Sequence, residues 1–194
     1  MSTVFVLQEF PETADALIPL LPPWRAEKVH TLRKKEDKVH CALGYLLLKK
    51  AAKEEYGICS LPPFSFGQWG KPYFENACLE FNLSHCKSAV ACAVSAQPVG
   101  VDVQDKIAYQ QALAKRLCTG KALEELEHCA DQDTALTALW TQKEALGKQS
   151  GKGLCTPCHD LQGDCRTYVY DSFCLSVCPS DAEIRFVSLE EVLK

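Results

Sequence analysis

The chain has 194 residues, 47% of them hydrophobic, 24% charged and 9% aromatic, with a net charge of −4. Such a composition belongs to a globular protein of one domain or two small ones, and it excludes disordered, collagen-like and low-complexity chains. No stretch approaches the ~18 consecutive apolar residues that a membrane span requires.

In chain order, Val4 to Gln8 reads as a strand and Thr13 to Leu21 as a short helix ended by Pro22-Pro23. From Asp37 to Tyr56, Val39, Leu43, Leu46 and Leu47 recur at helical spacing, and Gly57 ends the run. Pro62-Pro63 and the Gly67 to Pro72 stretch are loop signals. Leu79 to Leu83, Ala89 to Val94 and Val99 to Val103 are extended, and together predict an antiparallel sheet of three or more strands. Short helices are expected over 108–118 and 120–130, then a second long helix over 131–148 that carries Leu136, Leu139 and Trp140 on its apolar stripe. Short strands follow at 167–170, 173–177 and 184–187, and a terminal turn at 188–193. Helix then strands occurs twice, which fits an α+β protein of two similar halves with a boundary near Gln97 to Lys106.

Charge is unevenly spread. Residues 25–53 carry a net +6, and the remainder carries −10. A basic stretch in an acidic protein points to a local anion site rather than to nucleic-acid binding, for which the whole domain would be basic. A solvated, lysine-rich helix face accounts for the same residues. The first ten residues lack a basic export-signal start and reach Glu9 early, so a cytoplasmic location is expected. The twelve cysteines are then expected to stay reduced.

Two segments stand out chemically. In Val99-Gly-Val-Asp-Val-Gln104 a carboxylate, Asp102, ends an otherwise apolar strand, either as a helix cap or as a functional group. In Trp140-Thr-Gln-Lys-Glu-Ala-Leu-Gly-Lys148, the residues Trp140, Glu144 and Lys148 share one helix face. A Glu144–Lys148 surface ion pair is the plain reading. A carboxylate beside a large aromatic, with Asp102 brought alongside, would instead suit a hard divalent cation such as Mg²⁺.

These segments resemble the motifs of the 4′-phosphopantetheinyl transferases of the Sfp type: Val/Ile-Gly-Ile/Val-Asp-Ile/Val-Glu, then Trp/Phe-x-x-Lys-Glu-Ser/Ala-x-x-Lys. The resemblance extends upstream to Gly70-Lys71-Pro72 and Phe81-Asn-Leu-Ser-His-Cys86, and more weakly to Lys35-Glu36-Asp37 with Gly44, where family members have a basic stretch and an Asp-x-x-Arg-type helix start. It covers about two-thirds of the chain, from Arg25 to Gly153, with four motifs in order.

The resemblance implies two similar α+β halves, 1–98 and 99–194, each a long helix on a small antiparallel sheet, in a monomer. It implies transfer of 4′-phosphopantetheine from coenzyme A to a serine of an acidic apo carrier protein (acyl, peptidyl or aryl), releasing 3′,5′-ADP. No nucleic-acid or membrane partner is implied. By this resemblance Asp102 and Glu144 hold Mg²⁺ (Mn²⁺ in substitution), and Asp102, Glu144 and Lys148 form the catalytic set. Glu144 acts as base, and Lys148 neutralises the diphosphate. Arg25, Lys28, Lys71, Ser84, His85 and Lys143 correspond to coenzyme A contacts, His85 at the 3′-phosphate.

Two departures are visible. Gln104 stands where the family has a third carboxylate; its amide oxygen can ligate a hard cation but brings no charge. His40 stands near a position where many members have Arg. A homologue that binds coenzyme A without turnover is the alternative that Gln104 keeps open. A cysteine-based zinc module drawn from Cys155, Cys158, Cys165, Cys174 and Cys178 is the other. Cys155-Thr-Pro-Cys-His159 matches a haem-attachment pattern, which the expected cytoplasmic location argues against. The stretch 147–153 lacks phosphate-loop spacing.

Overall fold

A computed structural model of the chain describes residues 2–75, 78–153 and 157–194. Strand β1 (Thr3–Leu7) is buried throughout and runs through the middle of a four-stranded sheet. It pairs antiparallel with β5 (Val90–Ser95) and parallel with β9 (Glu183–Val187), while β4 (Glu80–His85) forms a hairpin with β5. The second sheet places β6 (Gly100–Asp105) beside β8 (Phe173–Cys178), and β8 beside β7 (Arg166–Val169), all antiparallel. The same motif thus appears twice: a hairpin, β4–β5 or β7–β8, with one strand, β1 or β6, added beside its second member. Ser65–Phe66 (β2) and Pro72–Tyr73 (β3) form a small separate hairpin.

Strand alternation dictates how these pieces stack. Phe5 and Leu7 of β1, with Val90, Cys92 and Val94 of β5, face the first long helix, α2 (Lys35–Tyr56), and its buried Leu43 and Leu47. The opposite faces, Val4 and Val6 with Ala89, Ala91 and Ala93, meet Val101 and Val103 of β6 and Leu175 and Val177 of β8. Small alanines on that side let the second sheet come close. The second long helix, α5 (Gln132–Ser150), covers the outer face of that sheet, giving layers in the order α2, sheet, sheet, α5. Each fully buried leucine in this arrangement contributes about 1.5–3 kcal/mol.

Helix ends follow local chemistry. The Asp131 carboxylate accepts from the Thr134 N–H at the start of α5. Gly57, at φ +67°, ends α2 with its N–H on the Lys53 carbonyl and the next N–H, of Ile58, on Ala52.

The fold is α+β, as expected, with three local differences. The 13–21 segment forms only a 3-10 turn, Ile18–Leu20, and the prolines that read as a stop instead open a helix, α1 (Pro23–Thr31). Proline at the first helical position loses nothing, because its N–H would have no partner there. Strand β6 does not extend the β4–β5 sheet; β1 takes that place, and β6 pairs with β8. Its Val-x-Val alternation packs equally well in either sheet, so the pattern alone did not choose. Finally, residues 183–193, β9 and the short helix α6 (Leu189–Leu193), return to the first sheet and to α2. Helices α3 (Gln111–Leu117) and α4 (Lys121–Glu127) pack against the start of α5. Among the described residues no helix is long and apolar enough to cross a membrane.

Candidate active site

The period of two that buries Val101 and Val103 in the inter-sheet core turns Gly100, Asp102 and Gln104 towards α5. At Gly100 the approach is extreme: a Cβ there would lie 2.1 Å from the Ala145 carbonyl oxygen and 2.6 Å from the Gln149 nitrogen. Only glycine permits it, and it brings the Glu144–Lys148 turn of α5 onto β6. Behind Asp102, Ser176 of β8 donates to Thr141 of α5 at 3.1 Å and bonds Thr167 of β7 at 2.8 Å. This hydroxyl chain ties helix to sheet one turn before Glu144.

The result is an open cleft of about 300 Å³ lined by Leu83, Ser84, His85, Asp102, Val103, Gln104, Trp140, Glu144 and Lys148. Lys148 Nζ lies 2.6 Å from Asp102 Oδ1 and donates to Ser84 Oγ at 2.9 Å, and Ser84 Oγ donates to the same Oδ1 at 2.8 Å. Both bonds to Asp102 use Oδ1, so its second carboxylate oxygen is not engaged by either. Burial, and then the Asp102 charge, push the Glu144 carboxyl above the usual carboxylate range, while Lys148 and Arg116 oppose the shift. The Asp102 and Glu144 carboxylates, with an amide oxygen from Gln104 beside them, form a hard-oxygen donor set. These residues fit Mg²⁺ or Mn²⁺.

His85, exposed at the lip of this cleft, also lines a neighbouring cavity of about 540 Å³ with Phe10, Lys34, Asp37 and His40. The His40 and His85 rings lie 4.9 Å apart, and Phe10 packs edge-on against His40. Burial holds the His40 imidazole below its ordinary value against the opposing charges of Asp37, Glu36 and Asp105. Partial burial, with His40 and Lys148 adding to it, lowers His85 as well.

Of the residues singled out in the sequence, Ser84, His85, Asp102, Gln104, Glu144 and Lys148 meet at the cleft. Four others lie outside its lining. Arg25, on α1, donates to the Cys41 carbonyl at 3.0 Å, with its guanidinium over the Phe64 and Tyr45 rings. Lys28 is exposed one turn further on. Lys71 donates to the carbonyls of Val99 (3.2 Å) and Gln149 (3.3 Å), which brackets β6 and α5 together, and burial lowers its ammonium. Lys143 is buried and donates to the Leu161 carbonyl at 2.6 Å.

The zinc and haem readings involve Cys155, which lies outside the described residues. Among the described residues, no three His, Cys, Asp or Glu side chains converge as a metal cluster. One residue just behind the cleft had no role assigned from sequence: Asn82, whose Oδ1 accepts from the Val101 N–H at 2.9 Å. Its signals were its place inside the Phe81-Asn-Leu-Ser-His-Cys86 motif and its position two residues before Ser84, on the same strand face.

Comparison with known proteins points to one family. A family model described as the 4′-phosphopantetheinyl transferase superfamily matches residues 98–183. A 4′-phosphopantetheinyl transferase of Bacillus subtilis is 31% identical over 148 residues, covering 74% of this chain and 66% of that protein. A second from Bacillus subtilis, 4′-phosphopantetheinyl transferase ffp, is 30% identical over 152 residues, or 75% of this chain and 67% of that protein. The 4′-phosphopantetheinyl transferase AcpT of Salmonella typhimurium is 32% identical over 114 residues, covering 56% of each. The chain thus spans about two-thirds of the length of the two Bacillus proteins.

Proposed function

The chain belongs to the 4′-phosphopantetheinyl transferase superfamily, a family of enzymes, and from that premise we propose that it transfers 4′-phosphopantetheine from coenzyme A to a serine of an apo carrier protein, releasing 3′,5′-ADP. The observation that carries this reading is the convergence of Ser84, Asp102, Gln104, Glu144 and Lys148, from two sheets and a helix, on one cleft. We read the chain as halves 1–98 and 99–194 with that cleft between them, residues 183–193 of the second crossing back onto the first sheet and α2, in a cytoplasmic monomer.

Asp102 and Glu144, with Gln104 as a neutral third donor, would hold Mg²⁺, and Mn²⁺ in its place. When bound, this cation neutralises charge on the diphosphate and on the departing phosphate. Lys148, paired with Asp102 in the cleft, would neutralise the diphosphate. His85, with the basic residues Arg25 and Lys28, receives the nucleotide phosphates. Glu144, whose carboxyl pKa is raised by burial and by Asp102 and which is thereby a stronger base when ionised, takes the proton from the carrier serine hydroxyl. The serine oxygen then forms its bond to the phosphorus of the phosphopantetheine arm, and the bond to the oxygen of 3′,5′-ADP breaks. The basic stretch 25–53 complements an acidic carrier surface.

The test is incubation with coenzyme A, Mg²⁺ and a panel of apo acyl, peptidyl and aryl carrier proteins, read by intact mass. A gain of one phosphopantetheine group is expected on at least one carrier; no gain on any overturns the proposal. A second reading, binding of coenzyme A without transfer, draws on the uncharged Gln104. Calorimetric binding of coenzyme A without mass gain would select it.

A further inference from the structure

Strand β6 has a regular ladder on one side only. Towards β8 its backbone pairs residue for residue, Asp102 opposite Ser176. Its other edge faces β4, and there no ladder forms; β4 and β6 belong to different sheets although they run close together. The outward N–H groups of Val101 and Val103 are taken instead by side chains of β4. Asn82 Oδ1 accepts from Val101 at 2.9 Å, and Ser84 Oγ accepts from Val103 at 3.2 Å. These two side chains are two residues apart on β4, matching the two-residue spacing of the N–H groups on either side of Asp102. Asn82 is only 5% exposed. It does not line the cleft.

We infer that Asn82 is a positioning residue for the reaction centre: by replacing the missing ladder at Val101, it sets where β6 presents Asp102 to Ser84, Lys148 and Glu144. The inference rests on the proposed reading of the cleft. A buried N–H left without its acceptor pulls towards any alternative partner or water. In this case it would carry with it the strand segment that holds Asp102. Ser84 cannot compensate, since its oxygen is already engaged with Asp102, Lys148 and Val103.

The experiment uses the full chain with Asn82→Leu, Asn82→Ala and Asn82→Asp. Two readouts are independent of turnover: amide hydrogen exchange at Val101 and Val103, with β5 amides as reference, and Mn²⁺ affinity measured by electron paramagnetic resonance without coenzyme A. In Asn82→Leu and Asn82→Ala, exchange at Val101 is expected to accelerate while β5 stays protected. Mn²⁺ affinity should fall by about 10- to 100-fold, the usual cost of losing a residue that orients a metal ligand. Transfer should lose kcat while KM for coenzyme A holds. Asn82→Asp keeps the acceptor oxygen and restores protection at Val101.

Unchanged Val101 exchange and Mn²⁺ affinity in either apolar variant overturns the inference. So does an Asn82→Asp protein in which Val101 stays unprotected, and so does collapse of all three variants, which would make Asn82 a folding residue. If the parent protein modifies no carrier, or binds no Mn²⁺, the proposed function fails separately, and exchange at Val101 still decides the role of Asn82.

Discussion

The two helix-on-sheet layers share a topology and differ in what lies between helix and sheet. Under α2 the contact is almost wholly hydrocarbon: Leu43, Leu47, Leu48, Ala51 and Ala52 are fully buried against Phe5, Phe81 and Val94. Under α5 the contact contains Thr137, Thr141, Ser176 and the backbone approach at Gly100, with far less aliphatic bulk. The α2 layer supplies stability that tolerates substitution, because apolar packing is non-directional. The α5 layer instead supplies position, through directional hydroxyl bonds and one close approach that glycine alone permits. The carboxylates proposed to hold the metal, and Lys148, are all found in the second layer, where geometry outweighs bulk.

The largest expected effect lies at the reacting end of α5. Glu144→Gln should lower kcat by about 100- to 10,000-fold, the range for loss of a general base, measured as the rate of carrier modification. Stability should move the other way. A carboxyl whose folded pKa is raised costs stability once ionised, so at a pH above that value the amide should melt no lower than the parent, and a lower melting temperature there would contradict the burial argument.

Next comes Gly100→Ala. A methyl group 2.1 Å from a helix carbonyl must push α5 off β6; a loss of about 3 kcal/mol in urea unfolding is expected. Its counterpart beneath α2 breaks the symmetry of the comparison. A Cβ on Gly44 would meet only Leu83 Cδ1, at 3.9 Å. Gly44→Ala should therefore stabilise by up to ~1 kcal/mol through helix propensity. That opposite sign is the sharpest check that the two layers differ in kind.

Two smaller effects follow. Gln104→Glu adds a third carboxylate to the cleft and should tighten Mg²⁺ severalfold in a titration of activity against metal; an unchanged dependence removes Gln104 from the metal. His40, held below its ordinary value of 6.5 by burial, takes up a proton in the unfolded chain before it does so in the folded one. Stability is thus lost as pH falls from above 6.5 through the lowered folded value. His40→Phe should flatten the fall in melting temperature between neutral and mildly acidic pH.

Much of this was legible in the sequence, for physical reasons. The long helices announced themselves through apolar spacing over five turns. Asp102 and Glu144 stood out as carboxylates on otherwise apolar faces, and their grouping with Lys148 came from the motif resemblance. Pairings between segments far apart in the chain were not legible. Nothing local in Lys71 says that its ammonium will be held by the Val99 and Gln149 carbonyls, or in Lys143 that Leu161 will take it. The choice of β8 over β5 as the partner of β6 depends on alanines of β5 opening room for a second sheet. The role of Asn82 depends on two edges meeting without a ladder, a relation that no single strand encodes.

The parallel pairing of β9 with β1 has a consequence for how the molecule is made. Thr3 lies opposite Glu183 and Leu7 opposite Val187, so strand contacts at the heart of the first sheet span nearly the whole sequence. A ribosome would have released β1, β5 and α2 long before β9 emerges. Until then β1 presents an open hydrogen-bonding edge to the cell, which makes late synthesis the interval in which this protein is most exposed to mispairing.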